Sequence, residues 1–216
     1  MTSTGKKNER TLNALAFPLI GTVIFVLDYL VAAIQYGGGS QAFPHATRFS
    51  WRHNYWCNLL AETSINGTPN PGVVAAMAGM LVLAATMICF WMVVPGQLSI
   101  SNRVRSLVRI TGVLSMLTGL LLFSGVHDTA TMIASGLGVI ASAGLLAGLY
   151  RSGLLIAFWM GMANLALVML NNYFYYNPAL IGLLPVLQKL TFGSFLFWIC
   201  RICWSLMVRQ IRKKDQ

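Results

Sequence analysis

Long apolar runs alternate with short polar segments along the whole chain. A helix that crosses a bilayer needs about 20 mostly apolar residues. Strict alternation over about ten residues, which marks the strands of a membrane β-barrel, is absent from the sequence. The pattern predicts an all-α, polytopic six-helix transmembrane bundle that forms a single integral membrane domain over residues 1–216. The six predicted spans are residues 12–35, 72–94, 105–126, 128–150, 152–173 and 183–208.

Only one of the polar segments is long. It covers residues 36–71, between the first two predicted spans, and we call it the long loop. Gly37-Gly38-Gly39 and Asn66-Gly67 are turn signals near its two ends. Between them, residues 50–60 predict a short helix lying in the membrane interface, with Trp51, Tyr55 and Trp56 as aromatic anchors.

Composition agrees with the apolar runs. The chain is 56% hydrophobic and only 9% charged, whereas soluble domains carry about 25% charged residues. A surface so poor in charge must face lipid over most of its area. The net charge of +10 would favour nucleic acid in a soluble protein. Here apolar spans separate the basic residues, so we expect the lipid bilayer, and not nucleic acid, as the partner.

The basic residues also predict the orientation of the chain. With six spans, the segments richest in Lys and Arg all fall on one side of the membrane, and cytoplasmic segments carry such an excess. We therefore predict a multi-pass protein of the cell membrane with both termini cytoplasmic and the long loop outside. The first apolar run is too long for a cleavable signal and is predicted to be a retained span. The residues on the cytoplasmic side are Lys6, Lys7, Arg10, Arg103, Arg105, Arg109, Arg151, Arg209, Arg212, Lys213 and Lys214.

Small residues recur at helical spacing and predict close packing between helices. Ala134, Gly138 and Ser142 mark one such face. On the first span, Gly21 and Ala32 share a face with Asp28 and offer a second surface for a neighbouring helix.

Polar and ionisable residues converge on the predicted outer side. Ionisable groups within a membrane are costly and indicate function by default, so we predict one outward-facing polar pocket. Simpler roles remain open: Asp128 suits the start of a helix as a cap, and Lys189 can reach the headgroups while Asp28 is wetted at the surface. The candidate ligand-binding residues are Asp28, Arg52, His53, Asn54, Glu62, His127, Asp128, Asn171 and Lys189.

Three functions fit such a pocket. We favour an integral membrane protein that binds a lipid, an amphipathic ligand or a partner there. One alternative is a membrane-embedded, metal-dependent lipid hydrolase with His53, His127 and Asp128 as catalytic or metal-binding residues, although no recognised metal-ligand spacing occurs. A second is a small ion- or proton-coupled transporter in which Asp28 pairs with Lys189. The pattern identifies neither a cofactor nor an oligomeric state.

The long loop also carries a family resemblance. It contains Tyr36-Gly37-Gly38, Phe49-Ser50, Asn54, Leu59-Leu60, Gly67 and Asn70-Pro71, and an apolar span follows. With His127 at the start of a later span, this set resembles a family of small multi-pass membrane proteins of unknown function, close to the DRAM and Frag types. Residues 57–62 differ from the acidic, Ser-rich turn of that family. The resemblance implies a six-helix fold and a membrane location, and no reaction.

Overall fold

The described residues form six α-helices. The computed structural model describes residues 3–119 and 127–212, and side chains from residue 8 onward except those of 127, 128 and 131. No β-strand occurs in these ranges, where one isolated bridge pairs Thr63 with Pro69. The all-helical prediction is therefore confirmed. The helices are α1 (Ser3–Gln35), α2 (Val73–Val93), α3 (Asn102–Gly119), α4 (His127–Arg151), α5 (Leu155–Tyr175) and α6 (Leu184–Arg212).

Five segments of the described chain are long and apolar enough to cross a membrane. The predicted third span is not among them: α3 is described as far as Gly119, and residues 120–126 lie outside the described residues. The chain thus has the helices of a multi-pass membrane protein. The five segments are Asn8–Gln35, Val73–Gln97, Met132–Arg151, Leu155–Tyr175 and Ile181–Arg212.

The chain divides into two compact units. The first unit comprises residues 1–21, 83–161 and 198–216, and the second comprises residues 22–82 and 162–197. Helices α3 and α4 belong to the first unit alone, while the long loop belongs to the second. The candidate residues of the loop therefore share a unit with parts of α1, α2, α5 and α6.

In the first unit, α3 and α4 pack through small residues, as predicted. The Ser115 hydroxyl donates a hydrogen bond of 2.8 Å to the Ala134 carbonyl. A Cβ on Gly138 would lie 3.2 Å from the Ser115 Oγ, and a Cβ on Gly144 would collide with Val108. Without side chains at these glycines the two backbones approach closely, and van der Waals contact, the main attraction available between helices in lipid, is strengthened.

The predicted small face of α1 contacts α2 in each unit. In the first unit, Gly21 lies against the Thr86 side chain. In the second unit, a Cβ on Gly72 would lie 3.1 Å from the Ala32 Cα. Helix α2, which begins at the next residue, therefore starts directly beside the α1 backbone. The prediction that Gly21 and Ala32 accept a neighbouring helix is confirmed.

Glycine also ends α4. Gly153 has φ +67°, a left-handed conformation that glycine adopts without steric cost. The Leu154 N–H donates to the Leu149 carbonyl at 2.9 Å and the Gly153 N–H to the Tyr150 carbonyl at 3.0 Å. These two bonds form a Schellman motif, which satisfies carbonyls at the helix end and turns the chain towards α5.

We predict that Gly112→Ala destabilises the first unit. A Cβ at this position would lie 2.5 Å from the Trp91 Cγ and 2.8 Å from its Cε3, and relieving such overpacking costs about 1–3 kcal/mol. Gly136→Ala on α4 is the matched control, since a Cβ there meets nothing within 4 Å. Unfolding in mixed micelles measures both variants, and equal stability of the two would contradict this packing.

Candidate functional site

The long loop folds mainly through side-chain hydrogen bonds. In the structure it runs from residue 36 to residue 72, with a turn at 51–53 and a 3₁₀ helix at Trp56–Leu60. The helix predicted over 50–60 is therefore confirmed only in its second half. Asn54 and Asn58 accept hydrogen bonds from the backbone N–H groups of Ser50 and Tyr55, both at 2.7 Å. Such bonds compete with a regular helix.

Asn54 is the buried centre of this loop, with no exposed surface. Its amide nitrogen donates to the Gly39 carbonyl at 2.7 Å and to the Asn58 Oδ1 at 3.3 Å. Its amide oxygen accepts from the Ser50 N–H. The backbone carbonyl of Asn54 accepts a hydrogen bond from the Lys189 ammonium. One side chain thus links three points of the loop, and its carbonyl joins the loop to α6.

Asn66 performs a similar role near the end of the loop. Its amide nitrogen donates to the Gly37 carbonyl at 2.7 Å and to the Ala46 carbonyl at 3.2 Å. Its amide oxygen accepts from the Thr68 hydroxyl at 2.7 Å. The side chain therefore ties the beginning, middle and end of the loop together.

Asn70 closes the loop against α2. This side chain is 3% exposed and donates to the carbonyls of Leu59 at 3.0 Å and Ala61 at 2.7 Å. Its amide oxygen accepts from the Gly72 N–H at 3.1 Å. We call Asn54, Asn58, Asn66 and Asn70 the asparagine frame, because together they satisfy backbone groups that no regular secondary structure pairs.

The glycines that open the loop are required by their conformation. Gly38 has φ +120° and Gly39 has φ +81°, which L-residues rarely adopt. A Cβ on Gly39 would also lie 2.7 Å from the Pro44 carbonyl oxygen. The loop backbone can pass close to itself here only because both residues lack a side chain.

Trp56 lies in an aromatic cluster formed by the loop, α1 and α6. Its ring centroid is 4.8 Å from that of Tyr29, 6.3 Å from that of Phe25 and 6.0 Å from that of Phe192. Its backbone N–H donates to the Gln188 Oε1 at 3.1 Å. The indole Nε1 is buried and has no hydrogen-bond partner in the described part of the chain. The cluster therefore anchors the 3₁₀ helix and contains an unused donor.

Lys189 is held at the contact between α6 and the loop. The half-buried ammonium donates to the Asn54 carbonyl and, at 2.9 Å, to the Pro185 carbonyl. It also lies 5.8 Å from the centroid of the Phe49 ring, a distance at which a cation is attracted to the ring face. The described hydrogen-bond partners of the ammonium are both carbonyl groups. The predicted pairing of Lys189 with Asp28 is not among these contacts.

The other predicted residues of the second unit are placed differently. Asp28 is half-buried, and a Cβ added to Gly79 would lie 3.0 Å from the Cβ of Asp28. His53 is half-buried with its ring 4.8 Å from that of Phe43. Arg52 and Glu62 are exposed. Of the predicted ligand-binding residues, the described contacts join only Asn54 and Lys189.

Asn171 on α5 contacts α6. Its amide nitrogen donates to the Thr191 hydroxyl at 2.6 Å and to the Leu167 carbonyl at 2.8 Å. This hydrogen bond joins two helices, which is a common role of asparagine in a membrane bundle.

The metal-hydrolase hypothesis involves residues that are only partly described. The side chains of His127 and Asp128 lie outside the described residues, although α4 begins at His127. In the chain that is described, no group of three or more His, Cys, Asp or Glu side chains is placed to hold a metal ion.

Sequence reasoning missed several residues that build this region. Gln188 and Phe49 were not proposed as functional, and they contact Trp56 and Lys189. Asn66 and Asn70 were recognised only as turn signals or family positions. The partner of Asn66 that is most distant in sequence, Gly37, is 29 residues away. The spacing of residues along the sequence therefore gave no indication of the asparagine frame.

Comparison with known proteins yields no relative. No family model, no curated protein and no solved structure matches the chain. The resemblance to the DRAM and Frag types therefore stays a prediction.

We predict that Asn54→Ala loosens the long loop. The change leaves the Gly39 carbonyl and the Ser50 N–H without their partner, and each buried group left unpaired costs about 1–3 kcal/mol. Limited proteolysis should then cut the loop faster than in the wild type. The unfolding temperature of the variant should also be lower. Asn172→Ala is the control, since this residue is exposed and donates only to the Val168 carbonyl of its own helix. A loop as resistant in Asn54→Ala as in the control would show that the frame is not needed.

Proposed function

We propose that this protein is an integral membrane protein that binds a lipid or another amphipathic ligand with an anionic headgroup at the long loop. The observation that carries the proposal is the position of Lys189. Its ammonium lies between the loop and α6, with carbonyl oxygens and an aromatic face as its partners. A half-buried cation with no carboxylate partner among the described residues favours an external anion.

The donor left over at this position supports an anionic headgroup. An ammonium has three N–H donors, and two of those of Lys189 are used by Asn54 and Pro185. A phosphate or carboxylate group would accept a hydrogen bond from the third donor, while the exposed Trp51 side chain offers an apolar contact for the rest of the ligand.

The proposal includes an orientation. The first unit, which contains both termini, carries twelve of the fifteen Lys and Arg residues, and the second unit carries three. Since cytoplasmic segments are enriched in Lys and Arg, we place both termini in the cytoplasm and the long loop outside the cell membrane. This orientation requires six spans, among them the third span predicted over residues 105–126. The number of spans agrees with the six-helix fold that the resemblance to the DRAM and Frag types implies.

Neither alternative has a comparable observation in its favour. A metal-dependent hydrolase depends on the His127 and Asp128 side chains, which are not described. A transporter based on Asp28 and Lys189 lacks the contact between them. Ligand binding at Lys189 is the function that the described contacts support best.

We predict that Lys189→Gln weakens binding of oleoyl lysophosphatidylglycerol about tenfold, because a hydrogen bond to a charged group contributes roughly 1.5–3 kcal/mol. Isothermal titration calorimetry of the full chain in a non-ionic micelle measures the change. Oleoyl lysophosphatidylcholine should bind both proteins weakly.

Two further variants make the result specific. Lys189→Arg keeps the charge and should retain most of the affinity, while Arg48→Gln removes a charge elsewhere in the loop and should leave the affinity unchanged. Equal affinity of the wild type and Lys189→Gln would refute the site.

The orientation predicts that Cys57 reacts with a membrane-impermeant maleimide added to intact cells. Cys57 is exposed in the long loop, and the other cysteines lie within candidate spans. Desolvation raises the pKa of Cys57, while backbone N–H groups and the Lys189 ammonium act in the opposite direction. Because the thiolate is the reactive form, the rate should increase about tenfold per pH unit below that pKa. Cys57→Ser is the control, and labelling that requires permeabilised cells would place the loop inside.

A further inference from the structure

A second candidate ligand site lies in the first unit, beside α2 and α3. A groove of about 390 Å³ is lined by apolar side chains of both helices, with Arg109 and Ser106 as its polar members. The lining residues are Met92, Ser106, Arg109, Ile110, Val113 and Leu114. The groove therefore combines an apolar wall with a single guanidinium group.

Arg109 is incompletely paired. The residue is half-buried, and its Nε is buried without a hydrogen-bond partner in the described part of the chain. A Cβ on Gly96 would lie 2.8 Å from its Nη2, so the guanidinium lies directly against a residue without a side chain. A buried N–H that lacks an acceptor is costly, and no group in the described part of the chain offsets that cost for Arg109.

Arg105, one helical turn earlier on α3, differs from Arg109 because its guanidinium makes three hydrogen bonds within the protein. Its Nε donates to the Pro95 carbonyl at 3.3 Å, its Nη1 to the Asn102 Oδ1 at 2.9 Å and its Nη2 to the Ile100 carbonyl at 3.4 Å. These bonds hold the segment between α2 and α3. Both arginines contact the segment between α2 and α3, but in the described chain only Arg105 has hydrogen-bond partners there, the carbonyls of Pro95 and Ile100.

No carboxylate among the groove's lining residues compensates Arg109. Among the side chains that are described in the first unit, the only acidic one is Glu9, which is exposed on α1. The formal charge of this unit is +9. Charge complementarity therefore favours an anionic occupant, and the apolar wall favours a hydrocarbon chain attached to it.

We infer that this groove is a binding site for an anionic phospholipid. Arg109 binds the headgroup phosphate through its planar donor fork, and the acyl chain lies along Ile110, Val113 and Leu114. The site uses no residue of the long loop and does not depend on ligand binding at Lys189.

Photocrosslinking in nanodiscs tests the inference. The probe is phosphatidylglycerol with a diazirine near the carboxyl end of one acyl chain, and mass spectrometry locates the crosslinks on the protein. We expect crosslinks within residues 106–117. Arg109→Gln should reduce them about tenfold, the effect of losing one charge-assisted contact. Arg103→Gln removes the same charge from an exposed position of α3 and should change them less than about twofold.

Further arms separate the headgroup from the chain and from free phosphate. Val113→Trp fills the groove without changing charge and should abolish the crosslinks, which keeps the test decisive if Arg109→Gln folds poorly. A phosphatidylcholine probe with the same chain should label about tenfold less than phosphatidylglycerol. Equal labelling of wild type and Arg109→Gln, or by the two lipids, would overturn the inference. Efficient competition by inorganic phosphate would overturn it in favour of a free-anion site.

Discussion

The buried side chain of Asn54 is the interaction on which the candidate site depends. A loop without regular secondary structure must satisfy its backbone groups by other means, because an unpaired buried amide costs free energy. Asn54 does so for Gly39 and Ser50, and its carbonyl is the acceptor that fixes Lys189. Without this amide, the Asn54 carbonyl would lose the support that holds it in position to accept from the Lys189 ammonium on α6.

Glycine and asparagine act together in this loop. Positive φ angles at Gly38 and Gly39 bring backbone carbonyls inward, and the asparagine frame donates to carbonyls brought together in this way. The same logic operates where helices meet: Gly72 and Gly138 permit close approach of backbones, and a hydroxyl such as that of Ser115 adds a hydrogen bond. Small residues let two backbones approach closely, and short polar side chains then form directional hydrogen bonds between them.

The helices could be predicted from sequence, since their signals are local. Apolar runs of spanning length gave the six helices, and the face of Gly21 and Ala32 gave the α1–α2 contact. The site was harder because its contacts are long-range. Trp56 is 132 residues from Gln188, and Asn54 is 135 residues from Lys189. Residue type and predicted depth allowed a pairing of Lys189 with Asp28, while the structure satisfies the ammonium with uncharged carbonyls, whose location no sequence pattern reveals.

The contacts of Gln188 and Lys189 with the loop also impose an order on biosynthesis. Both residues lie on α6, which the ribosome produces long after the loop. Until α6 is inserted, Trp56 and Asn54 lack these partners, and contacts so distant in sequence form only after a large loss of chain entropy. These two contacts of the nascent loop must therefore stay unmade through the insertion of the intervening helices, a period in which exposed apolar surface favours misassembly. Insertion of α6 thus completes the fold of the long loop.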